Sequence, residues 1–112
     1  MTKSNITKQP DSLTLERAAM MFNALGDPAR LNLLLHLRQG ERCVNELAEL
    51  ENAKVGSISA RLKTLYQSHL VQKRRDAKYV YYSLADRHIA ELLDNMLIHA
   101  NECIYATIHQ SK

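Results

Sequence analysis

The sequence contains little cysteine and has no long run of hydrophobic residues. Two cysteines in 112 residues do not make the framework of a small disulfide-stabilised protein, so we expect reduced thiols. Without an unbroken apolar stretch of about 20 residues, no membrane-spanning helix and no membrane partner are expected. The first ten residues are polar and lack the apolar region of a signal peptide. We therefore expect a cytoplasmic protein.

Length and charge set the scale of the protein. A chain of 112 residues suits one domain, and no internal repeat or linker divides it. Its small size implies a modest core, so burying one helix face in a dimer would help it. A net charge of +3 and a pI of about 9.0 weakly favour a polyanionic partner. We expect a flexible arm at residues 1–11, one domain at residues 12–108 and a tail at residues 109–112.

Apolar residues at helical spacing predict two helices in the first third of the chain. The first spans residues 12–25, with Ser12 as its N-cap, and Gly26 ends it. Asp27 and Pro28 then supply the N-cap and the first helical position of a second, leucine-rich helix. Its wide apolar face predicts a central place in the fold.

A helix-turn-helix motif is predicted next. Residues 43–50 and residues 55–68 both show helical spacing of apolar residues, and a short polar turn joins them. The second helix is apolar at Ile58, Leu62 and Leu65 and is polar and basic on the opposite side. In this motif the second helix enters the major groove of DNA with its N-terminal residues leading.

Residues 70–84 change to the period of β-strands. Two β-prone runs joined by a short link predict a hairpin. A basic hairpin directly after a recognition helix is placed to reach phosphates or a minor groove, as a wing does. The alternative is a charged turn that only adds solubility. The basic residues around the tip are Lys73, Arg74, Arg75 and Lys78.

The last predicted helix, residues 86–108, carries two carboxylates and two imidazoles in a paired spacing. Asp86 and His88 stand at its start, and His99 and Glu102 stand near its end at i and i+3. His88 and His99 share nearly one face but lie roughly 16 Å apart, so one helix cannot bring all four groups to one ion. Two antiparallel copies across a two-fold axis would form two equivalent sites, each with two nitrogen and two oxygen donors. The spacing alone is equally consistent with polar residues on a solvated face.

The order of these elements resembles that of the winged-helix metal-sensing repressors of the ArsR/SmtB family, over roughly residues 15–103. The paired spacing of Asp86, His88, His99 and Glu102 is similar to the zinc site on the last helix of the family's cyanobacterial zinc sensor. Four further stretches carry the resemblance. Residues 24–31 resemble the start of the family's second helix, and residues 41–47 resemble its third helix. Residues 58–65 resemble the recognition helix, and residues 73–82 resemble the wing.

Three departures from the family pattern stand out. Members that sense cadmium, lead or arsenic through the third helix usually have Cys-x-Cys there, whereas this chain has Cys43 alone. Residues 1–35 contain no Cys or His that would complete such a site, so we expect no metal site at Cys43. The recognition helix often has His where this chain has Arg61, and the wing often has Gly where it has Ala77.

The resemblance implies a winged helix-turn-helix homodimer, mainly α with a small β-hairpin. It implies a repressor that binds double-stranded operator DNA without metal and releases it on binding Zn(II). Two imidazoles with two carboxylates suit tetrahedral Zn(II), with Co(II) as a laboratory surrogate. The expected metal ligands, in two interfacial sites per dimer, are Asp86, His88, His99 and Glu102. The expected DNA contacts are Ser57, Ser59, Arg61, Lys63, Arg74, Arg75 and Lys78.

None of these expectations makes a cysteine a metal ligand. Cys103 lies about 100° around the helix from Glu102 and is not counted as a ligand. A rival hypothesis nevertheless gives the sensing role to cysteine. In it the repressor responds to oxidants or reactive sulfur through Cys43 and Cys103, and it ignores zinc.

Two further alternatives involve no sensing of zinc. A metal-dependent hydrolase would need an open zinc position. Four protein ligands close the site, and no spare base or substrate cleft is apparent, so we expect neither an enzyme nor a small-molecule substrate. A plain dimeric winged-helix protein without an effector would use Asp86 and Glu102 only to cap or solvate the helix.

Overall fold

The computed structural model describes residues 9–110, apart from the side chains of residues 107–110. Residues 1–8 of the predicted arm and residues 111–112 of the predicted tail lie outside the described residues. The helices in the described part are α1 Ser12–Leu25, α2 Pro28–Arg38, α3 Val44–Glu51, α4 Val55–Gln67 and α5 Arg87–Gln110. The strands are β1 Arg42–Cys43, β2 Val71–Asp76 and β3 Tyr79–Leu84.

Short acidic side chains start the first two helices. Asp11, not the predicted Ser12, caps α1, because its Oδ1 accepts a hydrogen bond from the backbone N–H of Thr14 at 2.7 Å. The hydrogen bonds from Thr14 hold the pKa of Asp11 below its usual value of 3.8. Asp27 caps α2 as predicted and accepts from the N–H of Arg30 at 2.9 Å.

Helices α3 and α4 form the predicted helix-turn-helix. Asn52 ends α3 in the left-handed conformation, with φ 51°, which asparagine tolerates better than most residues. The N–H of Ala53 donates to the carbonyl oxygen of Ala48 at 2.9 Å and satisfies the last turn of α3. The inward side of α4 is fully buried, as predicted, at Ile58, Leu62 and Leu65.

The predicted hairpin is confirmed as β2 and β3, joined by a two-residue turn at Ala77 and Lys78. A third strand, β1, was not predicted. It pairs with β3 opposite Tyr81 and Tyr82, so the antiparallel sheet has the order β1-β3-β2. Two residues are too few to show the alternation by which a strand is recognised in a sequence. This strand links the hairpin to the start of α3.

The hydrophobic core lies among α2, α3, α4 and the beginning of β2. Among the described residues, α1 contributes Ala24 to the buried cluster and α5 contributes Leu93. The fully buried large side chains come from the inner elements: Leu33, Leu34, Leu47, Ile58, Leu62, Leu65 and Leu70. None of the described helices is both long enough and apolar enough to cross a membrane.

The two outer helices keep large apolar side chains in contact with solvent. Met96 of α5 and Phe22 of α1 lie on the border of an apolar groove of about 330 Å³ between α1, α2 and α5. The chain therefore buries one face of its inner helices and leaves the outer pair partly uncovered. The exposed members are Leu13, Leu15, Met20 and Phe22 on α1, and Met96, Ile98, Ile104 and Tyr105 on α5.

Candidate nucleic-acid interface and metal donors

The outer side of α4 presents polar side chains near its N-terminus. Ser57, Ser59 and Lys63 are exposed, and Arg61 is half-buried. Lys54 occupies the N-cap position and makes no side-chain capping hydrogen bond. The start of a helix attracts anions through its N–H groups and its dipole, so this end of α4 is suited to a phosphate-rich partner.

Gly56 lies in the first turn of α4, where nothing in the described chain requires a glycine. No heavy atom lies within 4 Å of a Cβ placed there, and its φ is not in the left-handed region. Alanine is the better helix former by about 1 kcal/mol. The space beside Gly56 is therefore open to close approach of another molecule.

The hairpin displays the predicted basic side chains beside α4. Arg75 is exposed near the end of β2, and Lys78 is exposed in the turn with its Nζ 5.6 Å from the ring centre of Tyr79. Lys73 Nζ lies 4.3 Å from the ring centre of Tyr66, in the last turns of α4. The contact between Lys73 and Tyr66 holds the base of the hairpin against the recognition helix.

Ala77 occupies the first position of the hairpin turn with φ 56°. The left-handed conformation costs a residue with a Cβ roughly 1–2 kcal/mol. The glycine that is common here in the family would avoid most of that cost, so the departure noted in the sequence has a local structural consequence.

Arg74 is a predicted DNA contact whose guanidinium already has protein partners. Its Nε and Nη2 donate to the two carboxylate oxygens of Glu41 at 2.8 and 2.7 Å. Its Nη1 lies 3.7 Å from Asp76 Oδ2, and its guanidinium carbon lies 4.9 Å from the ring centre of Tyr81. The bonds between the two groups hold the pKa of Glu41 below its usual 4.5 and raise that of Arg74. Sequence reasoning missed Glu41, because 33 residues separate it from Arg74 and only the sheet brings them together.

The predicted metal donors form two pairs, one at the start of α5 and one just past its middle. His88 Nδ1 lies 3.5 Å from Asp86 Oδ1, and His99 Nδ1 lies 4.0 Å from Glu102 Oε1. All four side chains are more than half exposed. Two ligands of a tetrahedral zinc ion lie roughly 3.3 Å apart. Each pair is thus close to the separation that binding one shared ion requires.

The two pairs do not converge within one chain. Among the residues that the structure describes, no group of three or more His, Cys, Asp and Glu side chains is gathered to hold an ion. The donors therefore fit zinc as two half-sites, each with one nitrogen and one oxygen. Asp86 has a second task, because its Oδ1 also accepts a hydrogen bond from the N–H of Ile89 at 3.2 Å and so caps α5.

Cys103 lies closer to the donors than sequence reasoning indicated. Its Sγ is 3.7 Å from His99 Nε2, the ring nitrogen opposite to the one that faces Glu102. The prediction compared Cys103 with Glu102 alone, whereas its spacing of four from His99 puts those two side chains on one side of the helix. One ion cannot bind both nitrogens of a ring, so Cys103 and Glu102 cannot both join His99 on the same ion.

Cys43 has a structural place at the start of α3. It is the N-cap residue, it is 8% exposed, and its N–H donates to Glu46 Oε1 at 2.9 Å. No disulfide occurs in the described part of the chain. The two thiols of the rival redox hypothesis thus have different environments, one buried and the other exposed.

A partly buried polar contact that sequence reasoning missed joins α2 to the end of α3. His36 Nε2 lies 2.5 Å from Glu51 Oε2, and the side-chain amide of Asn32 donates to the same oxygen at 2.7 Å. The Glu51 side chain is 14% exposed. This contact fastens the helix-turn-helix to the core helix α2.

A helix-turn-helix followed by a basic β-hairpin that packs against the second helix defines a winged helix-turn-helix protein. Residues 27–73 match the family profile described as bacterial regulatory protein, arsR family. The chain is 38% identical over 97 residues to a transcriptional repressor SmtB homolog from Synechocystis sp., covering 84% of this chain and 74% of that protein. The chain belongs to the ArsR family, as an SmtB-type transcriptional regulator.

Two further comparisons support this placement. A cadmium resistance transcriptional regulatory protein CadC homolog from Staphylococcus aureus is 32% identical over 85 residues, covering 75% of this chain and 70% of that protein. A homodimeric winged helix-turn-helix DNA-binding domain from Mycobacterium bovis, solved by NMR, superposes with a TM-score of 0.78. It is 32% identical and covers 85% of this chain and 90% of that domain. These relatives are regulators and not enzymes.

Proposed function

We propose that this chain is a homodimeric repressor that holds operator DNA in the absence of metal and releases it when Zn(II) binds between the α5 helices. The observation that carries the proposal is the pairing of donors at the start of α5 and just past its middle, with one imidazole and one carboxylate in each pair. Each pair is half of a tetrahedral ligand set. Two antiparallel copies of α5 bring unlike halves together twice, which makes two equivalent sites per dimer.

The outer helices supply the surface for such a dimer. Phe22 and Met96, which are 61% and 53% exposed, border the apolar groove between α1, α2 and α5. Burying a large apolar side chain stabilises an assembly by about 1.5–3 kcal/mol, and a two-fold axis doubles each contribution. The homodimeric state of the domain from Mycobacterium bovis supports a dimer of this chain.

Operator binding follows from the polar side of α4 and the basic wing. The N-terminal half of α4 enters the major groove, and the wing reaches the adjoining backbone. Contacts with phosphates release counterions, so affinity falls steeply with salt. The residues proposed for these contacts are Ser57, Ser59, Arg61 and Lys63 of α4 and Arg75 and Lys78 of the wing; the part played by Arg74 is considered below.

The donor chemistry favours zinc. Two imidazoles and two carboxylates suit borderline Zn(II), with Co(II) as a spectroscopic surrogate. When bound, the ion supplies a short bridge between two chains that otherwise meet through apolar surface. The cadmium relative shows that metals differ within the family, and in this chain Cys103 neighbours His99 without completing a thiolate set.

The switch follows from the position of the half-sites. Asp86 and His88 lie at the start of α5, two and four residues after the end of β3, whereas His99 and Glu102 lie just past the middle of α5. A zinc ion held by Asp86 and His88 of one copy and by His99 and Glu102 of the other would fix the angle at which the two α5 helices cross. That changes the spacing of the two recognition helices on a two-fold operator. Zinc and DNA then oppose each other with one reciprocal coupling energy, typically about 1–3 kcal/mol.

Fluorescence anisotropy on DNA from the chain's own promoter tests the proposal, with thiols kept reduced. We expect tight binding in chelator that collapses near one zinc per protomer. His88→Ala and His99→Ala should bind equally well in chelator and stay bound in zinc. His69→Asn is the matched control, because His69 is an exposed imidazole outside both pairs with φ 62°, which asparagine tolerates. It should keep the zinc response.

Three results would count against the proposal. Operator binding that is unchanged by zinc removes the sensing role, and operator binding that appears only with zinc reverses the direction of the switch. A protein that binds no promoter DNA in either state is not a repressor of this operator class.

A second candidate function is thiol-based sensing, which the contact between Cys103 and His99 favours. The Cys103 thiol is exposed and its Sγ lies 3.7 Å from His99 Nε2, so an oxidant can reach it. In that case a mild oxidant lowers operator affinity in chelator, and Cys103→Ser abolishes the effect. The zinc repressor hypothesis instead expects Cys103→Ser to keep its full zinc response.

A further inference from the structure

We infer that Glu41 and Arg74 form a clamp that positions the wing on DNA, and that Arg74 is a positioning residue and not a phosphate contact. We call this bidentate pair the Glu41–Arg74 clamp. The inference rests on the proposed operator binding, because the effect of the clamp is measured there.

The clamp spans the whole three-stranded sheet. Arg74 of β2 pairs in register with Tyr81 of β3, which in turn pairs with Cys43 of β1. Glu41 directly precedes β1. The guanidinium therefore crosses the central strand above the Tyr81 ring to reach the carboxylate on the far edge, at 2.8 and 2.7 Å. The clamp ties the outer strand of the wing to the segment that leads into α3.

Strand alternation separates Arg74 from its basic neighbours. Successive side chains of a strand point to opposite faces, so Lys73 and Arg75 share one face and Arg74 lies on the other. Lys73 contacts Tyr66 of α4, which identifies the face of Lys73 and Arg75 as the one turned to the recognition helix. Arg74 stands on the face of Tyr81 and Glu41.

The charge around Arg74 is also unfavourable for a phosphate. Both oxygens of Glu41 accept from the guanidinium, and Asp76 Oδ2 lies 3.7 Å from its third nitrogen. A phosphate at this place would have to displace Glu41 and would approach two carboxylates. The lowered pKa of Glu41 keeps that group ionised at neutral pH.

The shortness of the third strand makes the clamp important for holding the wing in position. An isolated two-stranded hairpin is marginally stable in water. Here the third strand offers only the two residues of β1, so little backbone pairing joins the wing to the helix-turn-helix. The clamp adds two charge-assisted hydrogen bonds at that junction. Without it, we expect the wing to sample a wider range of positions, and operator affinity falls although no DNA contact is lost.

The test measures operator affinity in chelator as a function of salt for wild type, Arg74→Ala and Glu41→Gln. We expect both variants to weaken binding roughly two- to fivefold, which is the scale of one surface ion pair. The slope of log affinity against log salt should stay at the wild-type value. Loss of a phosphate contact would lower that slope by about 0.9, and such a change in Arg74→Ala overturns the inference.

Glu41→Gln distinguishes a positioning role of Arg74 from a phosphate contact by the direction in which operator affinity changes. If Arg74 gripped phosphate, removing its competing carboxylate would tighten binding, whereas loss of the clamp weakens it. Glu49→Gln makes the same change of charge on the exposed side of α3 and corrects for the general electrostatic effect. Binding by Glu41→Gln that is as tight as, or tighter than, that of Glu49→Gln contradicts the clamp.

A charge swap provides the most direct comparison. The double variant Glu41→Arg with Arg74→Glu keeps the net charge and can rebuild the pair in reverse. We expect it to recover most of the affinity lost by either single change. A phosphate-contacting Arg74 predicts the opposite, because the swap places a carboxylate at the DNA surface, and an affinity below that of Arg74→Ala rejects the inference.

Amide hydrogen exchange tests the clamp without DNA. Arg74→Ala and Glu41→Gln should raise exchange at the amides shared by β2 and β3, with unchanged exchange in α2 as the check on folding. Unchanged protection of the wing in both variants overturns the inference even if the wild type binds no operator. Failure of operator binding by the wild type would instead remove the proposed function.

Discussion

The helix-turn-helix with its sheet differs from the two outer helices, α1 and α5, in the burial of its apolar side chains and in the partners of its polar ones. In residues 41–84 and the adjoining α2, buried apolar residues form the core, and two polar contacts join elements within the chain, although the buried Nε of Arg42 has no hydrogen-bond partner in the described structure. Arg74 binds Glu41, and His36 contacts Glu51. On α1 and α5, large apolar side chains remain exposed, and the imidazole–carboxylate pairs are only half of a ligand set.

This difference shows which part of the protein is complete in one chain. The helix-turn-helix with its sheet (the reading half) has its core and its Glu41–Arg74 and His36–Glu51 contacts within one chain, so one chain suffices to shape it. The outer helices have an open apolar groove and two separate donor pairs, which fits the assembly proposed above. A ligand that acts at the outer helices can therefore change how two reading units are spaced without altering either unit.

The largest expected effect concerns the uncovered apolar surface. Phe22→Asp places a charge in the groove, and we expect the dimer dissociation constant to rise roughly 10²–10⁴-fold, the equivalent of about 3–6 kcal/mol over two copies. Sedimentation equilibrium measures it. Leu50→Asp is the control in the reading half, because Leu50 is also half exposed, at 50%, yet lies on α3. A wild-type dimer in Phe22→Asp, or a monomer in Leu50→Asp, would place the interface elsewhere.

The second prediction tests whether each metal site is divided between two chains. His88→Ala and His99→Ala homodimers should lack interfacial zinc binding. Mixing them and allowing subunit exchange creates heterodimers in which one of the two sites keeps all four ligands. We expect about one quarter of the wild-type capacity to return, measured by Co(II) absorption. A mixture that stays silent means that the ligands of one ion come from a single chain.

The third prediction concerns Gly56 at the start of the recognition helix. Gly56→Ala should raise the free energy of unfolding by about 0.5–1 kcal/mol, because alanine is the better helix former and no atom obstructs its Cβ. Operator affinity should fall about tenfold if the start of α4 enters the major groove as proposed, because the added Cβ would then face the DNA. Urea unfolding and anisotropy measure the two changes. Gln67→Ala, at the far end of α4, should leave operator affinity at the wild-type value; equal affinities in both variants would show that DNA does not approach Gly56.

The smallest expected effect lies at the tip of the wing. Ala77→Gly removes the strain of a φ of 56° at the price of some chain entropy, and we expect a gain of about 1 kcal/mol or less in the free energy of unfolding. Operator affinity should change less than about twofold. Ala90→Gly, inside α5, should instead destabilise by about 1 kcal/mol. A loss of stability in both variants would show that the left-handed turn is not under strain.

Local patterns were sufficient to predict most of the fold. The leucine periodicity of α2, the Asp27 cap and the inward stripe of α4 each depend on residues within one or two turns, so they can be recognised without a structure. The exceptions are equally local in cause. Asp11 and Ser12 are both good caps, and periodicity does not choose between adjacent candidates. β1 was missed because two residues carry no alternation.

The features of the candidate site that could be predicted are likewise those that depend on residues close together in the chain. The spacing of Asp86, His88, His99 and Glu102 along α5 follows from helical geometry, and so does the conclusion that one chain cannot gather them. The contact of Cys103 with His99 could also have been predicted, because the two residues are at i and i+4. The prediction compared Cys103 only with Glu102 and so missed this contact.

What the sequence by itself determined is therefore the set of helices, the reading motif, the basic hairpin and the paired donors, since all of these arise from interactions between residues close in the chain. What only the tertiary structure decided is which charges meet across the sheet and between helices. Glu41 reaches Arg74 from 33 residues away, and Glu51 reaches His36 from 15. Such pairs depend on how whole elements pack, and packing is settled by the burial of apolar faces over the entire chain.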